Sequence, residues 1–138
     1  MIKKDYKIAS DYSEVPKLCE TISSFCKENV TENSICNEIE ICLVESLNNI
    51  IKHAYKEDNS RWIDLSIEIN TDNIIINVKD DGIPREGNKK PSLDFDPDDI
   101  ENLPEGGMGL FIIDQLMDEL TYKSINGANI FTMKKSIE

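Results

Sequence analysis

Apolar residues recur along this chain with two different periods, and the change of period marks out its elements. Between Asp11 and Asn29 the residues Val15, Leu18, Ile22, Phe25 and Cys26 return at steps of three and four, the spacing that lines one side of a helix. Ser13 stands where an N-cap belongs, and Pro16 falls in the first turn, where a missing N–H is harmless. A longer helix is predicted from Asn33 to Lys56, capped by Thr31 or Asn33, with Ile35, Ile39, Cys42 or Leu43, Leu47, Ile50 and Ala54 as its buried stripe. Tyr6 to Ala9 reads as a short edge strand. Beyond the second helix the period becomes two: Ile63, Leu65, Ile67 and Ile69 alternate with Trp62, Asp64, Ser66 and Glu68. After Thr71-Asp72-Asn73 the alternation resumes through Ile74, Ile76 and Val78, which predicts a hairpin.

From Asp80 to Gly109 no period is sustained, and Gly82, Pro84, Gly87, Pro91, Pro97, Pro104, Gly106 and Gly107 punctuate the stretch. A structureless stretch of that length inside a compact domain is usually functional or mobile. Gly109 to Leu120 returns to helical spacing through Leu110, Ile113, Leu116 and Met117. Two strands, Leu120 to Ile125 and Asn129 to Met133, then flank Asn126-Gly127, a strong hairpin signal. The predicted order is β-α-α-β-β-loop-α-β-β, a single α+β domain over 1–138. It is a two-layer sandwich with helices on one face of a mostly antiparallel mixed sheet.

Composition narrows the function. The chain carries 27 acidic against 15 basic residues, a net charge of −12, which argues against a phosphate-backbone partner or an anionic membrane. The longest near-pure apolar run, Leu110 to Ile113, is far too short for a membrane span, and the lysines near Met1 have no apolar stretch behind them. Cys19, Cys26, Cys36 and Cys42 lie among helical apolar residues, as reduced core thiols of a cytoplasmic protein do.

Three segments could carry chemistry. Glu45 and Asn49 are four apart on the second helix, so both project from one face, and His53 continues the line. A carboxylate and an amide so placed suit a base for a hydroxyl and an oxygen ligand for a hard cation, although a solvated helix face has the same spacing. The inward parity of Ile74, Ile76 and Val78 falls next on Asp80 and turns Asp81 away. A carboxylate directed at the core needs a donor, such as a base's amino group. Gly82 behind it allows a tight turn and close ligand approach. Finally, Glu105-Gly106-Gly107-Met108-Gly109-Leu110 opens the third helix with exposed backbone N–H groups, a place that favours phosphate.

Together and in this order, Glu45 to Tyr55, Asp80-Asp81-Gly82-Ile83-Pro84 and Gly106-Gly107-Met108-Gly109-Leu110 resemble the N box and the two glycine boxes of the GHKL superfamily. The His53-Ala54-Tyr55 ending, the run Gly106 to Ile113 and Met117-Asp118-Glu119 are similar to those of the anti-sigma-factor serine/threonine kinases of the RsbW type. The resemblance implies the ATP-binding fold of that superfamily, use of ATP and Mg²⁺, and these roles. Glu45 is the catalytic base, Asn49 the Mg²⁺ ligand, and Asp80 the partner of the adenine amino group with Gly82 beside it. His53 and Gly106, Gly107, Met108, Gly109 and Leu110 complete the nucleotide-binding set, and Ile83 to Glu105 forms a lid.

It also implies an anti-sigma antagonist as phosphorylation substrate, a sigma factor as a second partner, and a homodimer built near the first strand and first helix. Glu105 stands where some relatives carry an arginine, leaving Arg85, Lys89 and Lys90 as candidate γ-phosphate contacts. The acids Asp94, Asp96, Asp98, Asp99, Glu101 and Glu105 crowd the lid. The alternative reading is an ATP-binding regulatory module that transfers no phosphate. A sensor histidine kinase core would need a helical hairpin for which 138 residues leave no room.

Overall fold

The computed structural model describes residues 1–85 and 107–137, without the side chains of 107 and 108; Lys89, Lys90, Gly106 and the lid beyond Arg85 lie outside the described residues. Strand β1 (Ile2–Ala9) comes first, followed by helices α1 (Val15–Asn29) and α2 (Asn33–Asn49). Strands β2 (Trp62–Ile69) and β3 (Asn73–Asp80), helix α3 (Gly107–Leu116), and strands β4 (Glu119–Ile125) and β5 (Ala128–Ser136) complete it. The five strands form one sheet in the order β1-β2-β3-β5-β4, and every pairing is antiparallel.

The strand parity predicted for β2 and β3 holds. Ile63, Leu65, Ile67 and Ile69 are buried, as are Ile74, Ile76 and Val78, whereas Trp62 and Asp64 are exposed. Those inward residues meet Val15, Leu18, Ile22, Phe25 and Cys26 of α1 and Ile39, Cys42, Leu43 and Leu47 of α2 in one core. Both α1 and α3 pack against α2, so α2 is the helix on which the layer is organised. The four cysteines are buried and unbridged. Cys36 donates its S–H to Cys26 Sγ across the α1–α2 seam at 2.8 Å, and burial pushes the Cys19 and Cys42 thiols up to about 12.

Several predicted boundaries move. β1 begins at Ile2, because pairing with β2 runs from Ile2 opposite Ile69 to Ala9 opposite Trp62. A single 3-10 turn, Tyr12–Glu14, precedes α1, so the cap falls on Asp11, whose carboxylate accepts from both Ser13 N–H and Ser13 O–H at 2.9 Å. Ser13 therefore does not cap. Neither Thr31 nor Asn33 caps α2; Glu32 holds that position without a side-chain bond.

The second helix does not run on as an α-helix to Lys56. It passes at Ile50–Ala54 into a π turn, with Tyr55 N–H bonded to Ile50 C=O at 3.0 Å. The wider turn shifts the buried positions from the predicted Ile50 and Ala54 to Ile51 and Tyr55. The third helix starts at Gly107 rather than Gly109 and stops at Leu116, because Glu119 and Leu120 already pair with β5. Asn126 and Gly127 both have positive φ, 52° and 82°, which is the two-residue hairpin turn their sequence predicts.

Candidate active site

Glu45 and Asn49 lie on the last turns of α2, and the first turn of α3 crosses directly over them. A Cβ built on Gly109 would stand 2.6 Å from Glu45 Oε2 and 3.4 Å from Asn49 Nδ2. With glycine at 109 the Glu45 carboxylate can sit this close to α3; a larger residue would push it aside. The α3 start places the amides of Gly107, Met108 and Gly109, which have no acceptor within their own helix, beside the α2 carboxylate and amide. Leu110 follows, packed against the core from a half-buried position. Asn49 Nδ2 is buried with no partner, and so is His53 Nε2. A buried polar atom left unmet costs about 1–3 kcal/mol, which makes these two atoms candidates for ligand contact. The π turn between them needs more residues per revolution than an α turn. The step from Asn49 to His53 therefore falls short of a full turn, and His53 departs from the predicted line.

The other end of the site is built on β3. Asp80 is 7% exposed and points inward as its parity requires. Its Oδ1 accepts from Gly82 N–H at 2.9 Å and from Asn129 Nδ2 at 2.8 Å. Asn129 also donates to Gly82 C=O at 3.0 Å, and its own Oδ1 accepts from Ser124 O–H at 2.7 Å. Burial pushes the Asp80 carboxyl above the ordinary range; the bonds from Asn129 and Gly82 oppose this, the neighbouring Asp81 charge adds to it, and the Arg85 charge opposes it. The hydrogen bonds that Asp80 accepts from described residues all fall on Oδ1, which fixes the carboxylate.

Asp81 has a different task. It accepts from Arg61 Nη2 at 2.7 Å, and Tyr55 O–H stands 2.9 Å from the same Oδ1. The Tyr55 hydroxyl lies 2.6 Å from Trp62 C=O and accepts from Asp81 N–H at 3.0 Å, so one buried phenol ties the end of the second helix to β2 and β3. Burial is the main reason its hydroxyl pKa is raised. Next to this knot Gly82 presses on Ala54, whose carbonyl oxygen accepts from Ile83 N–H at 2.8 Å. A Cβ on Gly82 would collide with that same oxygen. The stretch from Glu45 to Ala54 spans roughly 13 Å at about 1.5 Å per residue, with Gly109 against one end and Gly82 against the other.

The sequence reading thus brought together Glu45, Asn49, Gly109, Asp80 and Gly82, and the structure places them along one seam. It missed Asn129, Ser124 and Tyr55. Reading Asn126-Gly127 as a two-residue turn sets Asn129 opposite Ser124, but its place beside Asp80 follows only from the strand order. Arg85, named as a candidate γ-phosphate contact, lies instead at the strand end of the seam, its guanidinium 4.2 Å from the Tyr122 ring centre and 4.8 Å from that of Phe131. Among the described residues no three His, Cys, Asp or Glu side chains cluster as a metal site.

Residues 8–135, nearly the span of the described fold, match the histidine kinase-like ATPase domain. The chain belongs to that family. Among histidine kinase-like ATPase proteins it is 37% identical over 114 residues to the serine-protein kinase RsbW of Staphylococcus aureus strain JH9, covering 80% of this chain and 71% of that one. The RsbW of strain Newman matches with the same figures. Among solved structures, the RsbU and RsbW domains of Rv1364c from Mycobacterium tuberculosis superpose with a TM-score of 0.69 at 14% identity. That match covers 98% of this chain, which spans about a third (32%) of the longer one. The SiaB-SiaC complex from Pseudomonas aeruginosa gives 0.63 at 14% identity, covering 97% of this chain and 89% of that one. These structural likenesses show the histidine kinase-like α+β fold, and the sequence relatives place the chain with the RsbW kinases.

Proposed function

We propose that this protein is an ATP- and Mg²⁺-dependent anti-sigma regulatory kinase that phosphorylates a serine or threonine of an anti-sigma antagonist and sequesters a sigma factor. Its enzyme class, protein serine/threonine kinase, is that of its RsbW relatives. The observation that carries the reading is the seat of the Glu45 carboxylate against Gly109, beside the unmet Asn49 amide. Nucleotide binding alone needs no carboxylate at the phosphate end, whereas transfer to a hydroxyl needs a base there.

Bound ATP would supply the transferable phosphoryl group, its charge offset by Mg²⁺. Asp80 accepts a hydrogen bond from the adenine amino group, with Gly82 leaving room for the ring. Backbone amides of Gly107 and Gly109 hold phosphate oxygens, the family's glycine box extending this to Gly106, Met108 and Leu110. Asn49, by a half-turn of its amide, offers its oxygen to the cation. His53, rotated off the Glu45–Asn49 line by the π turn, would reach the pocket through its unpartnered Nε2, and Glu45 takes the proton from the incoming hydroxyl.

Among the described residues no helix is long and apolar enough to cross a membrane, in keeping with a cytoplasmic role, and the acidic surface suits protein rather than nucleic-acid partners. A homodimer would use β1, an edge strand, and α1, between which lies a groove of about 500 Å³ lined by Lys4, Tyr6, Lys17, Glu20, Phe25 and Glu28.

The deciding experiment follows phosphate from labelled ATP to an antagonist-type protein in wild type and Glu45→Ala, with nucleotide binding measured in parallel. Loss of a positioned base costs roughly 10²–10⁴-fold in rate, while affinity for ATP stays equal or rises slightly as repulsion is relieved. Wild type that transfers nothing, or Glu45→Ala that transfers at the wild-type rate, would leave an ATP-binding interaction module as the better account.

A further inference from the structure

Arg85 follows β3 by five residues, and its surroundings are not those of a surface cation. Its main-chain N–H donates to the Tyr122 hydroxyl oxygen at 2.8 Å, and its guanidinium stacks over both Tyr122 and Phe131. Phe131 sits opposite Val78 and Tyr122 opposite Phe131, while Asn129 sits opposite Asp80. Register parity therefore puts Tyr122, Phe131 and Asp80 on one face of the sheet, at one end of it. Arg85 and Asp80 are near enough that each favours the other's charged form. Even so, Arg85 Nη1 is buried with no acceptor. Guanidinium nitrogens buried without an acceptor are costly, and the arrangement persists in a native protein where something else supplies one.

We propose that Arg85 is a base-contacting residue, the donor half of a donor–acceptor pair with Asp80 that reads one edge of the adenine ring. The inference rests on the nucleotide-binding reading of the site and adds a residue to it. Adenine presents an amino donor beside a ring-nitrogen acceptor; Asp80 meets the first and Arg85 Nη1 the second. Guanine presents a carbonyl where adenine has its amino group, so the same pair would set the Asp80 carboxylate against an acceptor. A phosphate contact is the competing role. It would require the guanidinium to leave two aromatic rings and reach toward the α3 start, from a main chain pinned to Tyr122.

The test is a calorimetric cycle on the full chain. Wild type, Arg85→Ala and Arg85→Lys are titrated with ATP, with 1-deaza-ATP, with 7-deaza-ATP and with inorganic triphosphate; Asp80→Asn is titrated with ATP, and melting curves check each fold. Arg85→Ala should weaken ATP roughly ten- to a hundredfold, the scale of one charge-assisted hydrogen bond. It should leave unchanged both triphosphate and the deaza analogue that lacks the contacted nitrogen, since the removed interaction is already absent there. Arg85→Lys, a donor without the planar fork, should recover part of the loss and serves if the alanine variant is unstable.

Equal weakening of ATP and both deaza analogues, or weaker triphosphate binding, would overturn the assignment in favour of a phosphate or purely structural role. Tighter ATP binding by Arg85→Ala would overturn it by showing that the side chain blocks the base. If Asp80→Asn weakens ATP and Arg85→Ala does not, only this inference fails. If wild type binds no ATP, the nucleotide reading fails with it.

Discussion

Glu45 Oε2 lies 2.6 Å from the point where a β-carbon of residue 109 would stand. The proposed base and the start of α3 are therefore in direct contact, and the carboxylate's position depends on residue 109 having no side chain. Gly109→Ala meets the far end of a flexible side chain, so the carboxylate can yield without unfolding anything. Phosphate transfer is expected to fall by about 10²-fold, the scale on which small displacements of a catalytic group act, with a melting temperature close to wild type. Parallel kinase assays and thermal melts decide it. A large drop in stability would mean that the helix, not the carboxylate, gives way.

Gly82→Ala differs in kind because its added carbon meets backbone. The collision is with the Ala54 carbonyl oxygen, which already accepts from Ile83 N–H. Overpacking of this kind costs about 1–3 kcal/mol, and the expected readout is a lowered urea midpoint with the slope unchanged.

Asp80→Asn should weaken ATP binding roughly ten- to a hundredfold, since one charged acceptor becomes an amide. Without nucleotide the effect on stability has a pH signature. Burial raises the folded pKa of Asp80 above its unfolded value. Ionisation in the fold is thus penalised, a cost absent below the unfolded pKa and complete above the folded one. Melting temperatures of wild type and Asp80→Asn should converge at acidic pH, with the variant gaining relative to wild type as pH rises through the folded pKa. A gap independent of pH would show that the bonds from Gly82 and Asn129 fully offset the burial of the charge.

Tyr55→Phe removes the hydroxyl that meets Asp81 N–H, Asp81 Oδ1 and Trp62 C=O. Leaving those groups unmet should cost about 1–3 kcal/mol of stability. ATP affinity should change little, because the phenol bonds to Asp81 and Trp62 and not to Asp80, the proposed adenine partner. Asp81→Asn, which loses mainly the exposed ion pair to Arg61, should cost less, within about 1 kcal/mol.

What the sequence determined by itself is whatever repeats with a short period or depends on adjacent residues. The stripe of α1, the alternation of β2 and β3, the Asn126-Gly127 turn and the division of labour between inward Asp80 and outward Asp81 all follow from side chains that alternate or recur on a fixed step. The order of Glu45, Asn49, Asp80 and the glycines placed the candidate site on its elements. Tertiary structure decided the rest, because those features are agreements between distant segments. The π turn at Ile50–Ala54 carries no short-range mark, yet it sets Ile51 and Tyr55 into the core in place of Ile50 and Ala54. The anchoring of Asp80 by Asn129, 49 positions away, and the seating of Arg85 on Tyr122 and Phe131 arise only once β5 has come between β3 and β4. Gly109 and Glu45 likewise constrain one another only when α3 packs on α2, since a missing side chain has meaning only against the atom that would otherwise occupy its space.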